Sequence, residues 1–420
     1  MKLSKTKWLL ATGLVFGLFG LIACDNSKTS PSNKITIEYF NQKKEMSQVI
    51  QDIAKDFEAE NPKIHVDVID VPNAGEVIKT RVLAGDIPDV INLYPQSIEL
   101  REWAQAGYLE DLTNEPYLEN IKNDYAKRFA IQDRIYSIPL TANVYGFYYN
   151  KTAFDQMNLT APKTWSDFQN LTATIEKQGK VPFAIAGAEG WTLNGYHQLA
   201  LATVAGGGKE ANNIWRFSKV NGISTDAPNM QNDFNRLDLL RQSGAMQQNW
   251  QGAGYNDTVV TFTKGDALIM PNGSWAMPMI NSQNPDFEVA TFPFPADKEG
   301  KSLTIGAGDL ALSISATSDH KKEARQFIKY MTTPKAMQKY YDVDGSPCAV
   351  KGVIEHNTDS PLSGLTELAF TDRHLVWLAK DWNSENDFYT LTTNYLHNGN
   401  KKMMVDALNA FFNPMKADGK

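Results

Sequence analysis

The hydrophobic pattern changes period several times in the first third of the chain. Residues 35–40, Ile-Thr-Ile-Glu-Tyr-Phe, have the β-branched and aromatic content of a strand. Met46, Val49, Ile50, Ile53 and Phe57 then recur at helical spacing with charged residues between them, and Asn61-Pro62 ends the run. Residues 64–69 alternate apolar and polar as a second strand. A helix over about 75–83 stopping at Gly85, a strand over 89–93, and a helix over about 97–106 closing at Gly107 follow. This β-α-β-α-β-α order predicts a parallel sheet with helices on its faces. Ligands in such sheets sit beyond the carboxyl ends of the strands.

Further on, residues 136–143 lead into an aromatic strand over 145–149, which reads as a crossing into a second lobe. Residues 302–315 are strand-like around Gly306-Ala307-Gly308-Asp309 and read as the crossing back. From about Ser318 the pattern is mostly helical, including 321–331 before Pro334. The expected architecture is therefore α/β and two-lobed, with a hinge and an interlobe cleft where small ligands bind. The expected bounds are 35–142 for lobe 1, rejoined by 303–345, and 143–302 for lobe 2, extended by C-terminal helices over 346–420.

The first residues follow another logic. Lys2, Lys5 and Lys7 precede an uncharged apolar run from Trp8 to Ile22, about the length of a signal-peptide core and too short to span a bilayer. The run ends in Leu21-Ile22-Ala23-Cys24, which resembles the bacterial lipoprotein signal. Residues 1–23 are thus expected to be removed, Cys24 lipidated, and 24–34 left as a polar tether. Two acyl chains suffice for stable anchoring where one is marginal, so the chain is expected on the extracellular face of the cell membrane. The alternative is an ordinary cleaved signal in which Cys24 is incidental. Cys348 then has no disulfide partner and reads as a small buried residue.

Composition narrows the partners. Loss of the three leader lysines takes the net charge from −7 to about −10, a poor match for phosphate backbones, so no nucleic acid is expected. Nine Trp and sixteen Tyr exceed what a modest core uses and hint at stacking faces for sugar rings. Tests for catalysis are negative. The chain has no Gly-x-Ser-x-Gly elbow and no His-Glu-x-x-His, and its six histidines are scattered. Asp342-Val343-Asp344-Gly345 resembles part of a calcium loop, but its twelfth position is Val353 rather than Glu. Gly206-Gly207-Gly208 lacks the Gly-Lys-Ser/Thr of a phosphate loop. No catalytic residue, metal or cofactor is expected. A lipid-anchored glycoside hydrolase or a surface glycan-capture module stays as the alternative, since catalytic acids need no motif.

A sugar site needs aromatic faces beside planar polar groups that bond adjacent hydroxyls. Several segments place both at predicted strand ends or loops: Lys43 after the first strand, Asn92 at the end of the third, and Asn143 at the first crossing. Trp191 and Asn194 lie in a lobe-2 loop, Trp275 follows an apolar strand, and Asp309 lies in the return crossing. Phe370-Thr371-Asp372-Arg373-His374 joins an aromatic, a carboxylate and two donors. Each also has a plainer reading: an Asn after a strand as a turn residue, a Trp as packing, Asp372 and Arg373 as a surface pair.

Segments 38–46, 80–90, 94–100, 191–196, 271–276, 306–310 and 370–378 resemble the family 1 extracellular solute-binding lipoproteins of carbohydrate ABC importers, and within them a streptococcal raffinose and multiple-sugar branch. The Gly85-Asp86-Ile87-Pro88-Asp89 element is common to the broad family, whereas the Asn41-to-Met46 and Phe370-to-His374 runs are narrower. The resemblance implies a monomer that closes on an α-1,6-linked oligosaccharide such as raffinose, stachyose, melibiose or isomalto-oligosaccharides. It also implies delivery to a two-subunit ABC permease powered by cytoplasmic ATPases, with no enzymatic activity. It implies Phe370, Asp372 and His374 as the grip on the terminal sugar, Lys43 and Asn92 as lobe-1 contacts, and Trp191 and Trp275 as stacking faces.

Overall fold

The computed structural model describes residues 34–206, 215–216, 218–355, 360–377, 382 and 384–416. The leader, Cys24 and all but the last residue of the tether lie outside them, as do Gly207, Gly208 and Leu378.

Two sheets organise the chain. The strands, in chain order, are β1 (Ile35–Asn41), β2 (Ile64–Asp70), β3 (Val90–Asn92), β4 (Ile138–Pro139), β5 (Tyr145–Asn150), β6 (Ile269–Gly273), β7 (Val289–Phe292), β8 (Thr304–Gly306), β9 (Ala311–Ile314) and β10 (His374–Val376). The first sheet runs β2-β1-β3-β9-β4, and the second runs β10-β8-β5-β6 with β7 also on β5. The predicted β-α-β-α-β-α opening is present, with helices Ser47–Glu60, Ala74–Leu83 and Ile98–Gln105 between and after β1, β2 and β3. Ile50, Ile53, Ala54 and Phe57 form the buried stripe of the first helix, the face that the spacing predicts. Ser97 starts the third helix by accepting from the Leu100 amide.

The first sheet is not wholly parallel. β2 and β3 flank β1 in parallel, but β9 lies antiparallel to both β3 and β4. The reason is connectivity. β9 arrives from the second sheet through the short 307–310 link, with no helix to turn it back into the parallel sense. The second sheet is antiparallel around β5, with β10 parallel to β8 at its edge.

The chain changes sheet between β4 and β5, between β8 and β9, and again between β9 and β10. One continuous core cluster includes residues of both sheets, from Ile37 and Val90 to Phe147, Ile305 and Leu375. Cys348 is buried with its Sγ 3.5 Å from the Leu140 carbonyl, and burial pushes its thiol up to about 12, an inert side chain.

Candidate functional site

A buried ionic centre joins the end of β1 to the 307–310 link. Asn41 fixes the backbone there: its Oδ1 accepts from the Lys43 amide at 2.9 Å and its Nδ2 donates to the Lys43 carbonyl at 3.0 Å. So held, Lys43 extends Nζ to within 2.7 Å of Asp309 Oδ2, with side chains only 8% and 12% exposed. The carboxyl of Asp344, at the end of the helix Pro334–Asp344, is raised to about 6 by burial and then by the charge of Asp309, with Lys43 and Ser346 pulling the other way.

Several polar atoms around this centre are buried without a hydrogen-bond partner among the described residues: Asn92 Oδ1, Asp344 Oδ2, and the hydroxyls of Tyr39 and Tyr125. Asn92 is otherwise fixed, donating from Nδ2 to the Ala311 carbonyl at 3.0 Å and accepting from Gln42 at its backbone oxygen. Buried groups of this kind cost about 1–3 kcal/mol each until something bonds them. Such a concentration suits a ligand rich in hydroxyl groups.

A second cluster ties the three sheet-changing strands together at Asn143. Its Oδ1 accepts from the Ala307 amide at 2.9 Å and from the Trp377 indole at 3.3 Å. The Asn143 carbonyl is 3.1 Å from His374 Nε2, while His374 Nδ1 accepts from the Phe370 amide at 3.2 Å. Those two bonds assign the proton to Nε2 and use both ring nitrogens. Burial, then the neighbouring Arg128 cation, lowers the imidazole to about 3, so it is neutral. Gly306 is forced here, because a Cβ would stand 1.8 Å from the Asn143 oxygen.

Arg128 donates to the carbonyls of Phe370 at 2.9 Å and His374 at 3.1 Å, clamping the turn in which Phe370 takes a left-handed φ of 63°. The Phe370 ring packs edge-on to Tyr125 at 4.9 Å. Of the residues expected to grip a terminal sugar, the structure thus places Phe370 and His374 inside this junction. Asp372 is exposed on the turn between them.

An aromatic path leads out from the junction. Trp377 meets Tyr145 at 6.1 Å, Tyr145 meets Trp275 at 6.2 Å, Trp275 meets Trp191 at 6.5 Å, and Trp191 meets Tyr255 at 5.3 Å. Trp275 is half-buried and folds over Gly273, where a Cβ would lie 2.0 Å from its ring. Trp191 opens the helix Trp191–Val204, rather than sitting in the loop that the sequence predicts, and is 36% exposed. Asn194, on the same helix, donates to Glu385 and accepts from Gln198 at 3.0 Å, so its amide is held by protein groups.

The structure therefore brings Lys43 and Asp309 into one ion pair, and Trp191 and Trp275 into one path. Sequence reasoning missed Asp344, Tyr125, Arg128 and Tyr255. Asp344 carried a signal, its acidic Asp-x-Asp-Gly context, but nothing local linked it to Lys43.

Comparison with known proteins supplies the context. A model of the family described as bacterial extracellular solute-binding protein matches residues 41–338. The multiple sugar-binding protein of Streptococcus mutans is 56% identical over 419 residues, covering 98% of this chain and 99% of that one. The apo-form of RafE from Streptococcus pneumoniae superposes with a TM-score of 0.88 at 58% identity, covering 92% of this chain and 99% of that one. RafE in complex with raffinose gives a TM-score of 0.84 at 58% identity, covering 91% and 100%.

Proposed function

We propose, from the premise that this chain belongs to the bacterial extracellular solute-binding protein family, that it captures an α-1,6-linked oligosaccharide and delivers it to a two-subunit ABC permease. It is a sugar-binding transport protein rather than an enzyme, as its relatives are. The observation that carries the sugar class is the likeness, along nearly the whole chain, to the raffinose-bound protein. Two local features support it. The unpartnered polar atoms beside Lys43 and Asp309 suit hydroxyl groups, and the Trp275–Trp191 path suits the C–H faces of sugar rings. In this reading Asn92, Asp309 and Lys43 take hydroxyls, Trp191 and Trp275 stack, and Asn143, Phe370 and His374 frame the junction about which the lobes close. Asp372 is exposed enough to meet the sugar from the turn. Sugar adds contacts available only in the closed form and shifts the hinge equilibrium by that difference in affinity.

Isothermal titration of the purified protein with raffinose, stachyose, melibiose, isomaltotriose and maltotriose tests the reading. The expected result is one-to-one binding of an α-1,6-linked sugar with a Kd on the order of micromolar, the sugar being recovered intact. Cleaved products, or binding of maltotriose alone, would overturn it.

The same proposal includes a monomer held at the outer face of the membrane through a lipidated Cys24. Cys24→Ser is expected to move the protein from the membrane fraction into the medium. Unchanged retention on cell fractionation would rule the anchor out.

A further inference from the structure

Two loops, 187–190 and 250–254, are zipped together just before the aromatic pair. The Gly187 amide donates to the Trp250 carbonyl at 2.8 Å, and the Ala188 amide to the Ala253 carbonyl at 3.1 Å. Each loop then enters a helix, Trp191–Val204 from one and Tyr255–Thr263 from the other. The side chain of Glu189 lies between them. Its Oε2 accepts from the Trp191 indole Nε1 at 2.8 Å, and its Oε1 accepts from the Tyr255 backbone amide at 3.0 Å. A single carboxylate thereby holds an exposed indole and the first residue of a separate helix. The fit is close: a Cβ at Gly254 would stand 2.7 Å from Glu189 Oε1.

Exposure along the path rises toward Trp191. Tyr145 is fully buried and Trp275 half-buried, whereas Trp191 is 36% exposed and Tyr255 half-buried beside it. Trp191 and Tyr255 are tilted 54° to one another, and Trp191 and Trp275 are tilted 42°. The faces therefore form a bent strip that continues the aromatic path outward. An indole at this exposure has many rotamers open to it, and fixing it through Nε1 removes that entropy before a ligand arrives.

We propose that Glu189 is a positioning residue that presents Trp191 and Tyr255 as an outer stacking pair, giving the site a place for one more sugar ring and a preference for longer oligosaccharides. The proposal rests on the sugar-binding reading above and specifies its length dependence. A carboxylate suits this role better than an amide. Both bonds are to N–H donors, and a Gln side chain has one acceptor oxygen for two donors.

The test titrates wild type, Glu189→Ala and Glu189→Gln with melibiose, raffinose and stachyose, which carry two, three and four rings. Glu189→Ala is expected to weaken stachyose about tenfold while melibiose stays within about twofold, and Glu189→Gln to fall between. Thermal melts check that each variant folds. Should Glu189→Ala fail to fold, Glu189→Gln, which keeps one acceptor oxygen for the two donors, is expected to show the same length-dependent loss at a smaller size. Equal losses for all three sugars would reduce Glu189 to a structural residue and overturn the proposal, as would no loss. If wild type binds none of the three, the sugar reading itself falls and this inference with it. Wild-type binding with unchanged variants would sink the inference alone.

Discussion

Asp309→Ala is expected to lower the unfolding free energy by about 3 to 5 kcal/mol, a large share of what a folded protein has to lose. The argument is one of solvation. The Lys43 and Asp309 side chains are almost sealed from water, and Nζ sits 2.7 Å from the carboxylate. Removing the anion leaves an ammonium in a place chosen for a pair, with no bulk water to replace the lost interaction. Asp344 offers only part of a replacement: its carboxyl, raised to about 6, is ionised at neutral pH, but burial makes that charge itself costly. Lys43→Met should cost less, since it removes the buried cation and keeps the stem packed, although it leaves Asp309 beside Asp344. Denaturant unfolding at neutral pH reads both. A loss below about 1 kcal/mol for Asp309→Ala would show that water reaches the pair after all.

Acid should unfold this protein through His374. Its folded value is depressed to about 3 from 6.5, so the neutral ring is the form that the fold holds. The sign follows. Above 6.5 neither state binds the proton. As pH falls through that value the unfolded chain takes it up and the folded chain does not, so stability is lost down to about pH 3. The full loss from this group is about 5 kcal/mol.

The groups facing the ring leave it no easy way to charge. Arg128 repels the imidazolium, Nδ1 already accepts from Phe370, and Tyr125 stacks at 6.2 Å. Asp344 acts in the opposite sense. Its folded value lies above 3.8, so its protonation adds stability as pH falls through about 6. Difference curves separate the two. His374→Gln, which keeps one donor and one acceptor, should be less stable at pH 7 yet lose less on acidification, so its curve converges on wild type. Asp344→Asn should be more stable than wild type at pH 7 and lose that advantage progressively as pH falls from about 6 to about 4. Parallel curves for His374→Gln and wild type would remove the histidine from the account.

How much of this was legible in the chain depends on how local each cause is. The first three strands and helices could be read because their periods lie within a dozen residues, as with Ile50, Ile53 and Phe57 on one face. The antiparallel placement of β9 could not, because it depends on where the 307–310 link begins in space. Asp344 looked like a failed calcium loop. What matters about it is its nearness to Lys43, about 300 residues away in sequence. The Phe370-to-His374 run drew attention by its residue types. Only the structure shows Phe370 at a positive φ and both His374 nitrogens spent on the backbone. Glu189 gave no signal at all, because one of its two partners is a backbone amide, which any residue at 255 would supply.

The crowding at Gly306 also has a mechanical meaning. Three strands meet there with a backbone oxygen where a methyl would otherwise stand, and side chains of Asn143 and His374 pin them crosswise. A joint so short of slack resists being stretched or slid and yields most readily to twist. The moving half of such a molecule would travel along nearly one arc and arrive in the same pose each time, so whatever reads the shut shape meets a repeatable surface.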